Sequence, residues 1–164
     1  MNFWIRALVL TAATTLCVVA PVSATDAAEP DSADMKAPVK LDSGVLAGKG
    51  LTDLPPVPVE YLLSGVSRPS QTVLFKSEDV VVAVYEEDPV KLPLEQGMPY
   101  DEFVHVLEGT LVLTDTGGKT YTFRKGDFAM IPKGFKGTWE TRTRFRELIV
   151  VDRKAWDAAH EANP

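Results

Sequence analysis

Residues 101–140 read DEFVHVLEGTLVLTDTGGKTYTFRKGDFAMIPKGFKGTWE, and this stretch decides the fold. β-Branched and apolar residues crowd Asp101 to Asp115, Thr116-Gly117-Gly118 supplies the positive-φ residues of a two-residue turn, and polar residues alternate with aromatics from Lys119 to Arg124. That is a hairpin pattern. A second turn at Lys125-Gly126-Asp127 leads into Phe128 to Ile131, and Pro132-Lys133-Gly134 closes that strand before another from Phe135 to Thr141. Strands at such short, regular intervals predict an all-β barrel or sandwich.

Upstream, Thr72 to Phe75 and Asp79 to Tyr85 read as a strand pair, the second so apolar (VVVAVY) that both its faces should be covered. LPPVPVEYLLSG suggests an extended segment at Val57 to Leu63, which its prolines confine to a sheet edge. Downstream, Asp152 is placed to cap a short helix through Ala159, with Trp156 packing back. No internal repeat appears, so one unit is expected over residues 55–151, followed by a helix and tail over 152–164.

The 164 residues, 45% of them apolar, suffice for one domain with a single sizeable core. Residues 1–24 stand apart from it. Arg6 lies in a short n-region, Ala7 to Ala20 is an apolar h-region, and Val22-Ser23-Ala24 is an A-x-A-like cleavage site, which predicts an export signal and a periplasmic or secreted protein. A membrane anchor would need about 20 continuous apolar residues; Pro21 and Ser23 end the run early. The single cysteine, Cys17, falls in the h-region, so the mature chain should contain no thiol ligand or disulfide. Residues 25–54 show no sustained period and are expected to be disordered or draped on the surface. Removing Arg6 makes the chain more negative than its full-length −6, which disfavours nucleic acid and anionic membranes.

Three strings carry a resemblance. DEF-x-x-x-LEG at Asp101 to Gly109, GD-x-x-x-IP-x-GF-x-GTWE at Gly126 to Glu140, and IVV at Ile149 to Val151 resemble the cupins of the ureidoglycine aminohydrolase and ethanolamine-utilisation type. The resemblance implies a single-domain, jelly-roll β-barrel. It also implies positions for a divalent metal: two histidines and a glutamate from the first motif, and a third histidine from the second. Here the glutamate position is Glu102, whereas the histidine positions carry Gln96, Met98 and Gly137. Amide, thioether and glycine do not replace imidazoles around such a cation. No metal of the usual cupin type, and no other cofactor, is therefore expected.

Strand alternation then assigns the interior. If Glu102 points inward, so do Val104 and Val106, while Phe103, His105 and Leu107 point away; His160 is expected in solvent. Inward-facing Met98, Tyr100, Glu102, Phe135, Trp139 and Thr141 would make an aromatic pocket with one carboxylate, and Gly137 would open space where a metal ligand is missing. Two readings fit. In one the pocket binds a small molecule, with Glu102 raised in pKa by desolvation and suited to general acid or base work on a carbonyl, ureido or sugar substrate. In the other, Trp139 is core and Glu102 closes the barrel mouth. Lys133 and Lys136 read as solvated turn residues, and Arg142, Arg144 and Arg146 with Glu140 and Glu147 as a salt-bridged outer face. Tyr85-Glu86-Glu87-Asp88 reads as a solvated strand end. Outward Phe103 and Leu107 would suit an isologous homodimer interface.

Overall fold

A computed structural model describes residues 37–161. The expected export signal, Cys17 and the first part of the lead-in lie outside the described residues. Among the described residues no helix is long and apolar enough to cross a membrane.

The described chain begins with a short helix, α1 (Ser43–Leu46), whose cap is Asp42: its Oδ1 accepts from the Val45 N–H at 2.9 Å. The strands follow: β1 (Thr52–Asp53), β2 (Ser64–Gly65), β3 (Ser70–Lys76), β4 (Val80–Glu87), β5 (Val90–Leu94), β6 (Glu102–Glu108), β7 (Thr110–Asp115), β8 (Thr120–Arg124), β9 (Phe128–Ile131), β10 (Gly137–Thr141) and β11 (Phe145–Asp152). A second helix, α2 (Arg153–Glu161), ends the described chain. They form two antiparallel sheets, ordered β1-β3-β4-β11-β6-β9 and β2-β5-β10-β7-β8. The core lies between them and draws on both, with Val81, Ala83, Val104 and Ile149 from one sheet and Leu111, Leu113 and Trp139 from the other. Every second residue of β6 and β11 is sealed in this layer, the period-2 pattern of a strand with one covered face.

Gly109 makes the two-sheet arrangement possible. The dense run from Asp101 to Asp115 is two strands in different sheets, and the corner between them has φ +81°, where a Cβ would lie 2.2 Å from the Arg144 carbonyl oxygen. Only glycine fits so tight a corner. The β7–β8 hairpin also departs from expectation: its loop holds three residues, because the Asp115 N–H donates to the Lys119 carbonyl and the Gly118 N–H donates back to the Asp115 carbonyl. The Asp115 carboxylate accepts from the Gly117 and Lys119 N–H groups at 2.9 and 3.0 Å and closes the turn.

The lead-in is partly ordered, since β1 pairs with β3 and the Ala47 carbonyl after α1 accepts from Arg146 Nη1 at 2.8 Å. Val57 to Leu63 is not one extended segment: Val59–Tyr61 forms a 3-10 turn, and only Ser64–Gly65 joins a sheet, at its edge. The end of the chain follows its sequence pattern. Asp152 Oδ1 caps α2 through the Ala155 N–H at 2.8 Å, Trp156 and Ala159 are buried, and exposed His160 stacks on Trp156 at 4.0 Å.

Candidate functional site

The alternation of β6 holds in three dimensions. Glu102, Val104 and Val106 are buried between the sheets, while Phe103, His105 and Leu107 sit half-buried on the outer face, where His105 stacks on Phe128 at 4.3 Å. His105 therefore points away from Glu102.

Glu102 borders a cavity between the sheets. Tyr85 of β4, Leu92 of β5, Trp139 of β10, and Glu147 and Ile149 of β11 line it too. Met98, Pro99 and Tyr100 enter from the loop before β6, and Val57 from the segment after β1. That loop is pinned to the turn before β10, with the Met98 N–H donating to the Phe135 carbonyl at 3.0 Å and the Gly134 N–H to the Met98 carbonyl at 2.8 Å. Counted as space open to the centre of a water molecule, the cavity volume is about 30 Å³. One water needs on the order of 10–15 Å³. It thus admits two or three water-sized groups, the size of a small functional group and less than a ring.

Of the residues expected to face a ligand, Met98, Tyr100, Glu102 and Trp139 line this cavity. Phe135 does not; it lies in the turn before β10 and meets Tyr121 edge-on at 6.4 Å. Nor does Thr141, whose hydroxyl donates to the Asp88 carbonyl at 2.7 Å and accepts from the Val90 N–H at 2.9 Å, clamping β10 to the start of β5.

Gly137 opens no space. At φ +141° a Cβ on it would stand 1.8 Å from the Thr114 carbonyl oxygen of the neighbouring β7, so the position cannot carry an imidazole. Gln96 is exposed in the turn after β5, and Met98 presents a thioether to the cavity. The residues present do not fit the four-ligand cupin metal site. Among the described residues no group of three His, Cys, Asp or Glu side chains is arranged to hold a metal ion.

The carboxylate in the cavity is not alone. Glu147, expected on the outer face with the arginines, is 2% exposed and borders the cavity beside Glu102. The register of β11 against β6 shifts between Arg146 and Glu147. From Glu147 on, the strand pairs evenly, and Glu147 shares the inner face with Ile149 and Val151. The signal was present in the sequence, because alternation separates Glu147 from Arg144 and Arg146 and groups it with apolar Ile149 and Val151.

Burial raises the Glu102 carboxyl to about 8. Burial also lifts Glu147 well above the usual carboxyl range, and the adjacent Glu102 charge lifts it further. The Tyr85 hydroxyl is pushed up by burial and by Glu87, Glu147 and Glu102. At neutral pH the pair holds at least one proton. Glu147 Oε2 is buried and has no hydrogen-bond partner among the described residues.

Tyr85 to Asp88 is not a solvated strand end, since Tyr85, Glu86 and Glu87 are all buried. Glu87 is held by four donors: the Ser67 and Tyr85 hydroxyls at 2.9 and 3.3 Å, and the Arg68 and Asp88 N–H groups at 2.6 and 3.0 Å. Ser67 in turn accepts from the Val57 N–H at 3.1 Å, which ties the cavity-lining Val57 segment to β4. On the opposite face of β4, Glu86 pairs with Arg144 and, at 3.2 Å, with Arg146, which also pairs with Glu108. The outer salt-bridged face is thus real for Glu140, paired with Arg142 at 2.9 Å and Lys91 at 3.3 Å, and for Arg144 and Arg146, but not for Glu147. Lys133 and Lys136 are exposed turn residues.

Residues 70–148 match the family model described as the EutQ-like cupin domain. No curated protein matches the chain in sequence. Among solved structures, a protein of unknown function from Pseudomonas syringae pv. tomato is similar at 22% identity and a TM-score of 0.55, covering 62% of this chain and 43% of its own. The EutQ protein of Clostridium difficile is similar at 22% identity and a TM-score of 0.49, over 56% of this chain and 67% of that one. A putative ethanolamine utilization protein from Salmonella typhimurium aligns at 22% identity and a TM-score of 0.47, over 63% and 94%. At these identities the likeness is one of fold.

Proposed function

We propose that the chain, whose residues 70–148 match the EutQ-like cupin domain model, is an exported small-molecule-binding cupin whose pocket lies between the sheets and lacks histidine ligands. The observation that supports this reading is the cavity itself: two carboxyls and the rings of Tyr85, Tyr100 and Trp139 border open space where a filled core would be closed. A thermal-shift screen of small metabolites against wild type and Trp139→Phe tests it. A ligand should raise the melting temperature of wild type and lose most of that effect in the variant; a ligand that stabilises both equally would remove the reading.

One observation favours a catalytic version. With its carboxyl raised to about 8, Glu102 is poised to give or take a proton near neutral pH. In that version Glu102→Gln abolishes turnover while leaving the fold in place.

Export rests on residues 1–24, and the mass of the protein recovered from the periplasm or medium tests it: a chain starting at Thr25 supports cleavage after Ala24, and a full-length cytoplasmic chain refutes it. The outer face of β6 and β9 carries Phe103 and Leu107, with Phe128 and Met130 64% and 63% exposed. A homodimer through this face accounts for such apolar exposure. Light scattering of wild type and Phe128→Lys checks it, with the variant expected to be monomeric.

A further inference from the structure

Resting on the pocket reading above, we propose that Glu102 and Glu147 form an ammonium-binding site, taking the primary ammonium head of a small organic cation between their carboxyls and the rings of Trp139 and Tyr100.

Four observations converge on a cation. The first is charge balance. Among the described residues two carboxyls border the cavity and no lysine, arginine or histidine does. Arg146, next to Glu147 in sequence, faces the other side of the sheet and is engaged by Glu86, Glu108 and the Ala47 carbonyl. The titratable groups facing the pair are Tyr85 from β4 and Tyr100 from the loop before β6; β5 and β10 contribute Leu92 and Trp139. The described residues therefore supply no counter-charge to the site.

The second is an open acceptor. Glu147 is 2% exposed, and its Oε2 accepts from no group among the described residues. A buried carboxyl oxygen left in that state is costly, and a ligand N–H would relieve it. The pair has four oxygens and carries at most two protons, so it presents more acceptors than donors. An ammonium brings three donors and no acceptor. A carboxylate or phosphate ligand would add acceptors where acceptors are already in excess, with no cationic side chain among the described lining residues to hold it.

Size and wall chemistry supply the remaining two. A cavity volume of about 30 Å³ suits a methylammonium-sized head, with any longer body continuing outward. Aromatic faces attract cations, most strongly once the cation has left water. Burial of both carboxyls, and the Glu102 charge beside Glu147, favour the protonated forms while the site holds no cation. Entry of the ammonium restores the reason to ionise, so a carboxyl proton leaves to solvent as the N–H···O bonds form, and no covalent bond changes.

The test is isothermal titration of the full protein from its own compartment with methylammonium chloride, in two buffers of unequal ionisation enthalpy, at pH 6, 7 and 8. The prediction is saturable binding that releases about one proton per site and tightens roughly tenfold per pH unit below the titration of the pair. In the double variant Glu102→Gln/Glu147→Gln, affinity should fall at least tenfold and proton release should vanish, whereas Glu140→Gln on the outer face should behave as wild type. If the double variant fails to fold, the wild-type proton count carries the same test. Methanol binding as tightly as methylammonium, pH-independent binding, or no binding of methylammonium at tens of millimolar would overturn the assignment. So would manganese binding that excludes methylammonium. A neutral ligand bound without proton release would sink the ammonium site and leave the pocket reading intact; failure of the Trp139→Phe screen would sink the pocket reading itself.

Discussion

Replacing Glu102 by glutamine should make the protein more stable, and more so as pH rises. The carboxyl stands at about 8 in the folded state against 4.5 ordinarily. Because the folded value is raised, the stability it confers is fully present below about 4.5, is lost as pH climbs toward 8, and changes no further above that. A gap of about 3.5 pH units at ~1.36 kcal/mol each corresponds to roughly 5 kcal/mol, of which roughly 4 falls between pH 5 and 8. Glutamine imitates the protonated acid in shape and cannot ionise, so wild type and Glu102→Gln should differ little at pH 5 and by roughly 4 kcal/mol at pH 8 in favour of the variant. Comparing the two cancels every titrating group that does not feel the Glu102 charge. Glu147 shifts in the same direction, so the double variant should flatten the profile further. Urea denaturation of wild type and variant at half-unit steps from pH 5 to 8 measures the gap directly. A gap that stays within about 1 kcal/mol across that range, or wild-type stability that rises with pH relative to the variant, would refute the burial argument for this carboxyl.

Other substitutions probe the frame around the site. Gly137→Ala should destabilise the fold by about 3 kcal/mol or more, because the added Cβ meets the Thr114 carbonyl at 1.8 Å and β10 must leave β7 to make room; chemical denaturation would read the loss. Arg146→Ala leaves the buried Glu86 carboxylate short of a partner and should cost about 3–5 kcal/mol, whereas Arg142→Ala at the exposed Glu140 pair should cost less than about 1 kcal/mol, both by urea titration. Asp152→Ala removes the cap of α2 and should cost about 1 kcal/mol, with amide exchange accelerating at Ala155.

Several features were legible because they are local. The period-2 pattern of β6 set Glu102 and His105 on opposite faces without reference to any other strand, and Asp152 announced its helix from three residues away. Glu147 was equally legible and was misread: the arginines beside it suggested an outer face, although alternation set it with Ile149 and Val151. Other features had no local signature. Glu86 and Glu87 read as solvated acids because their partners, Arg144 and Arg146 on one face and Ser67 and Arg68 on the other, come from distant parts of the chain. Phe135 and Thr141 passed the parity test and still missed the cavity, one because β10 starts only at Gly137 and the other because its hydroxyl is consumed at the neighbouring strand.

From the order of residues came the all-β architecture and the grouping of Glu102 with Val104 and Val106 on one strand face, since strand period and turn chemistry are properties of neighbours along the chain; the reading of Gln96, Met98 and Gly137 as replaced histidine positions came from the resemblance to the cupins. The placing of Glu102 and Glu147 on one cavity, the clash that makes Gly137 obligatory and the small size of the cavity were settled by the folded molecule. Each depends on which strands lie side by side, and sheet pairing joins residues tens of positions apart whose desolvation and mutual charge arise only at contact.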